Sequence, residues 1–492
     1  MDVVIACDLR FPGGTSTSVV EEIQATAAAG YRIGLLHLDS SSLSTDRPFH
    51  PLIRSQLDSG SATLLLPGQA VNASLLIVKH PTVFTEPLGG RLPVNADQVV
   101  LVVGQVPRDR DGKFHYDPAR VDAHLVAALG KRAVWAPVSP VVREHLRPAA
   151  DASEILLADT DWVEIIDPEP WTVDRTDTVD PDRPVIGRHS RPSPTKWPST
   201  ATDLLAAYPD DGTIRVRILG GIEGVPEVLG REPTHWEVEP FGAMPAREFL
   251  AGIDVFVYFH HPDLVEAFGR TVLEALASGA VVIVPPHFEP LFGAACLYAE
   301  PEDVVPGVQR LHADAVARLR QSETGVEEIR RRFSHEAHVA RVAALIGAPS
   351  TSKPRALRAP DKDLIPRRQR QGLPTVLVAA LGATVDQLKA AVEALAAQRA
   401  YTGGFVPVVV ATERLPSSAA RAAAAAGIRV EMVTSRGNWS EPPERWAEYA
   451  AARLRMFARK HAADSVTVLD LAHPDAWIAL RTRPCPEGRT AT

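Results

Sequence analysis

Pro262-Asp-Leu-Val-Glu266-Ala-Phe268-Gly269-Arg270-Thr-Val-Leu-Glu274-Ala-Leu-Ala-Ser-Gly279 is the stretch on which the reading of this 492-residue chain turns. It lies between two short apolar runs, 255–258 and 281–284, each with the length and β-branched character of a buried strand. A helix is expected to begin near Phe268 or Gly269 and to end at Gly279, a natural C-cap. The free amides and positive dipole end of such a helix favour a phosphate. Gly269 removes a side chain where a ligand would come close. Glu266 stands just before the helix, and Glu274 lies about two turns along it. Two carboxylates so placed can accept hydrogen bonds from hydroxyls at two points of one elongated ligand.

Working outward, short apolar runs alternate with amphipathic stretches along the whole chain, the pattern of parallel sheets flanked by helices. Strands are expected at 2–6, 32–36, 74–79 and 99–103, with weaker ones at 133–136 and 154–157. The acidic, proline-bearing stretch 167–184 reads as a linker. The alternation then restarts at 185–187, 214–219, 235–239, 255–258 and 281–284. A second break, 350–371, holds Lys353, Arg355, Arg358, Lys362, Arg367, Arg368 and Arg370 and reads as a solvated basic linker. Beyond it, strands at 375–381, 406–411 and 428–433 and a helix at 385–399 make a further small unit. The expected fold class is therefore α/β: two Rossmann-like, doubly wound domains, 1–166 and 184–349, facing a cleft, plus a C-terminal α/β unit, 372–492. Ligands of such sheets sit at the carboxyl ends of strands, so the cleft is the expected active site.

Composition narrows the classes of function. Hydrophobic residues make up 45% and charged residues 23%, which suits a globular chain. The net charge of −8 offers no global basic field, so nucleic acid is not an expected partner. Cys7, Cys296 and Cys485 are far apart and form no CxxC pair, which argues against a zinc site and fits a reducing cytoplasm. The chain opens on a strand rather than a leader, and no run nears the roughly 18 apolar residues of a membrane helix. A cytoplasmic location is expected. The stretch 453–460 could meet a membrane or partner, but a solvated helix face is the simpler reading.

Two further stretches carry charge or glycine to strand ends. Ile186-Gly187-Arg188-His189-Ser190-Arg191-Pro-Ser-Pro-Thr-Lys196 follows the first strand of the second half and brings cations to the mouth of that sheet. An arginine grips phosphate bidentately, and a lysine acts as a mobile point charge. Phe11-Pro12-Gly13-Gly14-Thr15 follows the first strand of the chain, and its paired glycines let backbone amides approach an anion.

The Pro262–Gly279 stretch resembles the Glu-x7-Glu signature of the retaining, group 1 family of GT-B glycosyltransferases. That resemblance implies that Glu266 holds sugar hydroxyls, Glu274 the ribose of the nucleotide, and the amides of Phe268 and Gly269 the phosphates. Arg191 and Lys196 match the family's Arg-x4-Lys element, which neutralises the donor diphosphate; Arg188 is a competing match for the arginine. This neutralisation is chemistry as well as binding, because the leaving group gains charge as the glycosidic bond breaks. Gly13 and Gly14 would face the phosphates across the cleft, and Phe241, in Pro240-Phe241-Gly242, would wall the base pocket. His335, in Arg332-Phe333-Ser334-His335-Glu336, stands where many relatives have tryptophan, in a helix that crosses back to the first half.

One departure concerns the first-half wall of the site. Many relatives place a histidine at the end of a first-half strand, whereas the strand at 99–103 ends in Gly104-Gln105. His80, His115, Asp8 and Gln105 are the candidates for the acceptor side, with the loops 40–46 and 107–118. The expected function is transfer of a sugar from a nucleotide-diphosphate donor to an acceptor hydroxyl, with retention and without metal or other cofactor. The acceptor could be a glycan, a lipid-linked species, a protein or a small molecule. The alternatives are a nucleotide-sugar-binding or regulatory protein without turnover, and a sugar-nucleotide epimerase or hydrolase on the same fold. A dehydrogenase lacks the G-x-G-x-x-G fingerprint.

Overall fold

The computed structural model describes residues 1–350, except 44–48, 66–69, 89, 176 and 178, and residues 374–478, except 403–404, 440–442 and 476–477. The basic side chains from Lys353 to Arg370 and the tip of the 40–46 loop therefore lie outside the described residues.

Three parallel sheets follow one another. The first contains β1 (Val3–Cys7), β2 (Ile33–His37), β3 (Thr63–Leu64), β4 (Val71–Lys79), β5 (Val94–Val103), β6 (Val134–Pro137) and β7 (Leu156–Leu157), in the order β3-β2-β1-β4-β5-β6-β7. The second contains β8 (Val185–His189), β9 (Arg215–Leu219), β10 (Trp236–Glu239), β11 (Val255–Val257), β12 (Val281–Val284) and β13 (Leu297–Tyr298), in the order β10-β9-β8-β11-β12-β13. The third contains β14 (Thr375–Ala380), β15 (Val406–Ala411), β16 (Arg429–Met432) and β17 (Ser465–Val468), in the order β16-β15-β14-β17. Each sheet winds outward through its third strand and then crosses to the far side of its first. This is the doubly wound pattern, and it opens a crevice between the first and fourth strands. The two larger sheets form two Rossmann-like domains. β1, β8 and β12 are buried at every residue, as strands covered by helices on both faces must be.

Helix α1 (Gly14–Ala28) follows β1, α2 (Arg270–Ala277) joins β11 to β12, and α3 (His335–Ile346) returns from the second domain to pack on α1. The return is pinned by Tyr31 OH donating to Gly347 O at 2.7 Å and by His335 Nε2 beside a Glu21 carboxylate oxygen at 2.7 Å. Under this junction Lys79 donates to the buried Glu22 at 2.6 Å, and Trp162 Nε1 donates to the same carboxylate at 2.8 Å.

The structure departs from the sequence reading in places that have a physical cause. β4 and β5 begin at Val71 and Val94, because residues 71–73 pair with 94–96 at the amino end of the sheet. Asn72, Asn95 and Asp97 make that extension look like loop in the sequence. β8 runs to His189 rather than stopping at residue 187. Gly187 permits this, since a Cβ there would lie 2.7 Å from Ile253 and 2.9 Å from the Arg217 carbonyl. β17 is only four residues, Ser-Val-Thr-Val, too short to show a period, and the helix before it, α4 (Pro443–Lys460), carries charge at intervals along its length. Among the described residues no helix is long and apolar enough to cross a membrane.

Candidate active site

The two switch points supply most of the site. In the second domain the crevice lies between β8 and β11, and the chain leaving each strand carries charge into it. After β8 the segment turns through Pro194–Lys196, which lifts Lys196 to the sheet mouth. After β11 it passes Tyr258 and His260 before reaching Glu266 and the start of α2. Lys196 Nζ donates to Glu266 Oε2 and, at 2.9 Å, to the Tyr258 hydroxyl. Tyr258 in turn donates to Glu266 Oε2 at 2.7 Å. Burial raises the Glu266 carboxyl, but Lys196, Tyr258 and His260 outweigh it and hold the group below its usual value. Glu266 is therefore an anion at neutral pH, half-buried and joined to a cation. Such a pair can exchange partners with a ligand that offers hydroxyls to the carboxylate and phosphate to the ammonium.

Helix α2 begins as the motif requires. Gly269 caps it at φ +88 with no side-chain hydrogen bond, a conformation that only glycine adopts without strain. The Phe268 side chain turns inward, 5.9 Å from Phe292 and 6.1 Å from Phe333, and so anchors the loop while leaving only its backbone to a ligand. Ser139, at the end of β6, donates to the Ala267 carbonyl and ties the helix start to the first domain.

Glu274 faces Arg270 and His189. Its Oε1 accepts from Arg270 Nε at 3.3 Å, and its Oε2 lies 3.5 Å from His189 Nε2. Arg270 also donates to Ile165 O at 2.8 Å and to Glu21 at 3.2 Å, and lies 3.7 Å from Glu164. Three carboxylates from α1, the end of the first domain and α2 thus share one guanidinium. Burial raises Glu274 and Glu164 above the usual range, only partly offset by Arg270. His189, pushed down to about 4 by burial and by Arg188, is neutral.

Across the crevice, Gly13 at φ +73 ends the turn after β1 and caps α1. A Cβ at Gly13 would lie 3.9 Å from the Arg191 side chain, so the glycine loop and the exposed Arg191 meet between the domains. His80 ends β4 at φ +76, an unusual backbone for histidine of the kind that clusters at functional sites. Its Nδ1 lies 2.6 Å from Thr82 Oγ1, which lies 2.6 Å from Ser40 Oγ. Burial, with His115 nearby, lowers His80 to about 4 against the pull of Asp8. His80 therefore presents a neutral ring beside Phe11, 4.8 Å away.

Not every candidate reaches the cluster. Arg188 does not lie at the sheet mouth: it is fully buried, 4.1 Å over the Trp197 ring and 4.8 Å over Tyr258, and donates to Phe259 O at 2.9 Å and Tyr208 OH at 3.2 Å. The longer β8 carries it inside the domain, so Arg191 is the arginine available to a ligand. Asp8 is sealed from solvent; it accepts from Arg10 Nε at 2.8 Å and Nη2 at 2.7 Å and from Ser40 N at 2.8 Å. Its place is structural, because its oxygens are committed to these donors. Gln105 uses its carbonyl to hold Tyr116 OH at 2.8 Å, His115 is exposed, and Phe241 stands 62% exposed on its turn. Tyr258, His260, His287, His189 and Arg270 were missed as site residues. Tyr258 and His260 sit directly after a core strand and before the motif, and Arg270 lies four residues before Glu274; those positions were the available signals.

No protein-family model matches the chain, and no curated protein matches it in sequence. Among solved structures it is similar to a glycosyltransferase from Rickettsia africae ESF-5 at 13% identity, covering 70% of this chain and 98% of that one, with a TM-score of 0.47. It is similar to the trehalose-6-phosphate synthase OtsA at 10% identity, 70% and 99% coverage, and a TM-score of 0.47. It is also similar to TarM at 15% identity and a TM-score of 0.40, covering 56% of this chain and about half (54%) of TarM. With TM-scores below 0.5 these likenesses carry no weight on their own; the architecture rests on the strand orders given above.

Proposed function

We propose that this chain is a glycosyltransferase that moves a sugar from a nucleotide-diphosphate donor to an acceptor hydroxyl, with retention and without a metal ion. The observation that carries the proposal is the meeting of Lys196, Glu266 and Tyr258 at the β8–β11 crevice, directly before a glycine-started helix. In this reading the donor diphosphate lies over the start of α2, with Lys196 and Arg191 neutralising it and the Gly13–Gly14 turn opposite. These groups supply the positive charge for which other folds use a cation, and they bind most tightly the leaving diphosphate, whose charge grows in the transition state. Glu266, released from Lys196, takes hydroxyls of the sugar, and Glu274, positioned by Arg270, takes the ribose. The departing phosphate then accepts the proton of the acceptor hydroxyl on the same face. His80 forms the acceptor-side wall as a neutral hydrogen-bonding group.

The test is thermal stability against nucleoside diphosphates and their sugar conjugates. At about 100 times the dissociation constant a bound donor adds about 2.7 kcal/mol of stability. The proposal expects one base family to stabilise the protein and Lys196→Ala to lose that shift. No shift with any nucleotide overturns it. Stabilisation with no transfer to any acceptor would support the binding-protein reading instead.

A further inference from the structure

His260 follows β11 and His287 follows β12, and their rings meet edge to face with Nε2 to Nε2 at 3.2 Å. His260 Nδ1 lies 2.8 Å from the carbonyl of His261. A carbonyl only accepts, so Nδ1 carries the proton of the neutral ring, and Nε2 of His260 must then accept. His287 therefore donates through its Nε2–H, which leaves its Nδ1 as the bare nitrogen of the pair. One added proton has a defined place: it enters at His287 Nδ1 and converts the bond between the rings into a stronger, charge-assisted one. A second would set two N–H groups face to face. The pair takes up one added proton and no more.

The surroundings place this pair beside the donor site. The His260 ring lies 5.9 Å from the Tyr258 ring and 6.0 Å from Phe288. Lys196 and Glu266 act on His260 from the second domain, and Glu266 acts on His287 as well. Arg110, from the 107–118 loop of the first domain, faces His287, and Asp263 lies 3.4 Å from the neighbouring His261. Burial lowers His260 to about 4, and burial with Arg110 lowers His287, so both rings are neutral at pH 7 in the free protein. Lys196 and Arg110 oppose the added proton until an anion occupies them.

We infer that His260 and His287 form a one-proton acceptor pair at the sugar–phosphate junction of the donor, taking up a proton as a diphosphate diester binds and adding a positive charge beside the leaving group. The inference rests on the donor-site reading proposed above. The sign follows from linkage: an anion raises the proton affinity of the pair, so the added binding is present at low pH and is lost as pH rises through the liganded value.

The test is calorimetric titration with the glucose conjugates of UDP, ADP, GDP and dTDP, whose diphosphate diesters do not titrate between pH 5 and 8. Repeating it in buffers of different ionisation enthalpy counts the protons taken up. The expected result is an uptake approaching one proton per donor near pH 5.5 and affinity that strengthens about tenfold from pH 7 to pH 5. His287→Gln and His260→Gln should each bind with no uptake and a flat pH dependence; if one fails to fold, the other decides. Binding without uptake in the unaltered protein, or uptake unchanged in the variants, overturns the inference and leaves the donor site standing. Binding of none of the four at any pH overturns both.

Discussion

Replacing Glu266 with alanine is expected to move donor binding and sugar transfer in opposite directions. The carboxylate holds Lys196 in the free protein, and it stands beside the place assigned to the diphosphate. Its removal leaves Lys196 fully available and takes a like charge away from the phosphates. Free nucleoside diphosphate should therefore bind more tightly, by up to about tenfold, which is about 1.4 kcal/mol. The sugar loses its anchor at the same time. A misplacement of about 1 Å at the reacting carbon is enough to cost about 100-fold in rate. Isothermal titration and a donor-turnover assay on the same preparation read the two effects separately. A merely structural role for Glu266 predicts that both fall together.

Arg270→Ala should produce the largest loss of stability. This guanidinium is the shared partner of Glu21, Glu164 and Glu274 and donates to Ile165 O, so it joins the first domain to α2. Burial disfavours its charge, but the three carboxylates more than restore it, and its proton affinity stays above the ordinary value. Removing one partner from such a buried set leaves uncompensated charge and costs about 3–5 kcal/mol. For domains of this size that corresponds to a fall of about 10 °C in the melting temperature. Calorimetry checks the shift. Adding Glu164→Gln to Arg270→Ala should recover part of it, because one of the three carboxylates that lost Arg270 is then neutral. A shift of under a degree in the single variant would mean that the cluster does not hold the domains together.

Much of this arrangement was legible in the sequence, and the reasons differ by residue. The strand at 281–284 is an unbroken β-branched run and that at 406–411 is valine apart from Pro407 and Ala411, and both lie where the sequence places them. Gly269 marks the start of α2 because the chain needs a left-handed residue there, a requirement that leaves a trace in the sequence. Glu266 and Lys196 were readable as site residues, but not as partners of one another, because 70 positions separate them and only the sheet brings them together. Arg188 was misplaced for the opposite reason. A charged residue near a strand end reads as exposed, and only the ring faces of Trp197 and Tyr258 explain how it can be buried. Asp8 looked accessible for want of its partner; Arg10, two positions on, closes it. The histidine pair left almost no signal. His260 and His287 belong to loops after different strands, and their apposition depends on the parallel pairing of β11 with β12.

The central claim is that a nucleotide-diphosphate donor occupies the crevice between β8 and β11 against the start of α2. The most direct measurement is a crystal structure of the protein with the nucleoside diphosphate that stabilises it most. The account predicts a β-phosphate within hydrogen-bond distance of Lys196 Nζ and of the amides that open α2, with the ribose at Glu274. A nucleotide bound elsewhere, such as at the third sheet, with Lys196 still paired to Glu266, would contradict it.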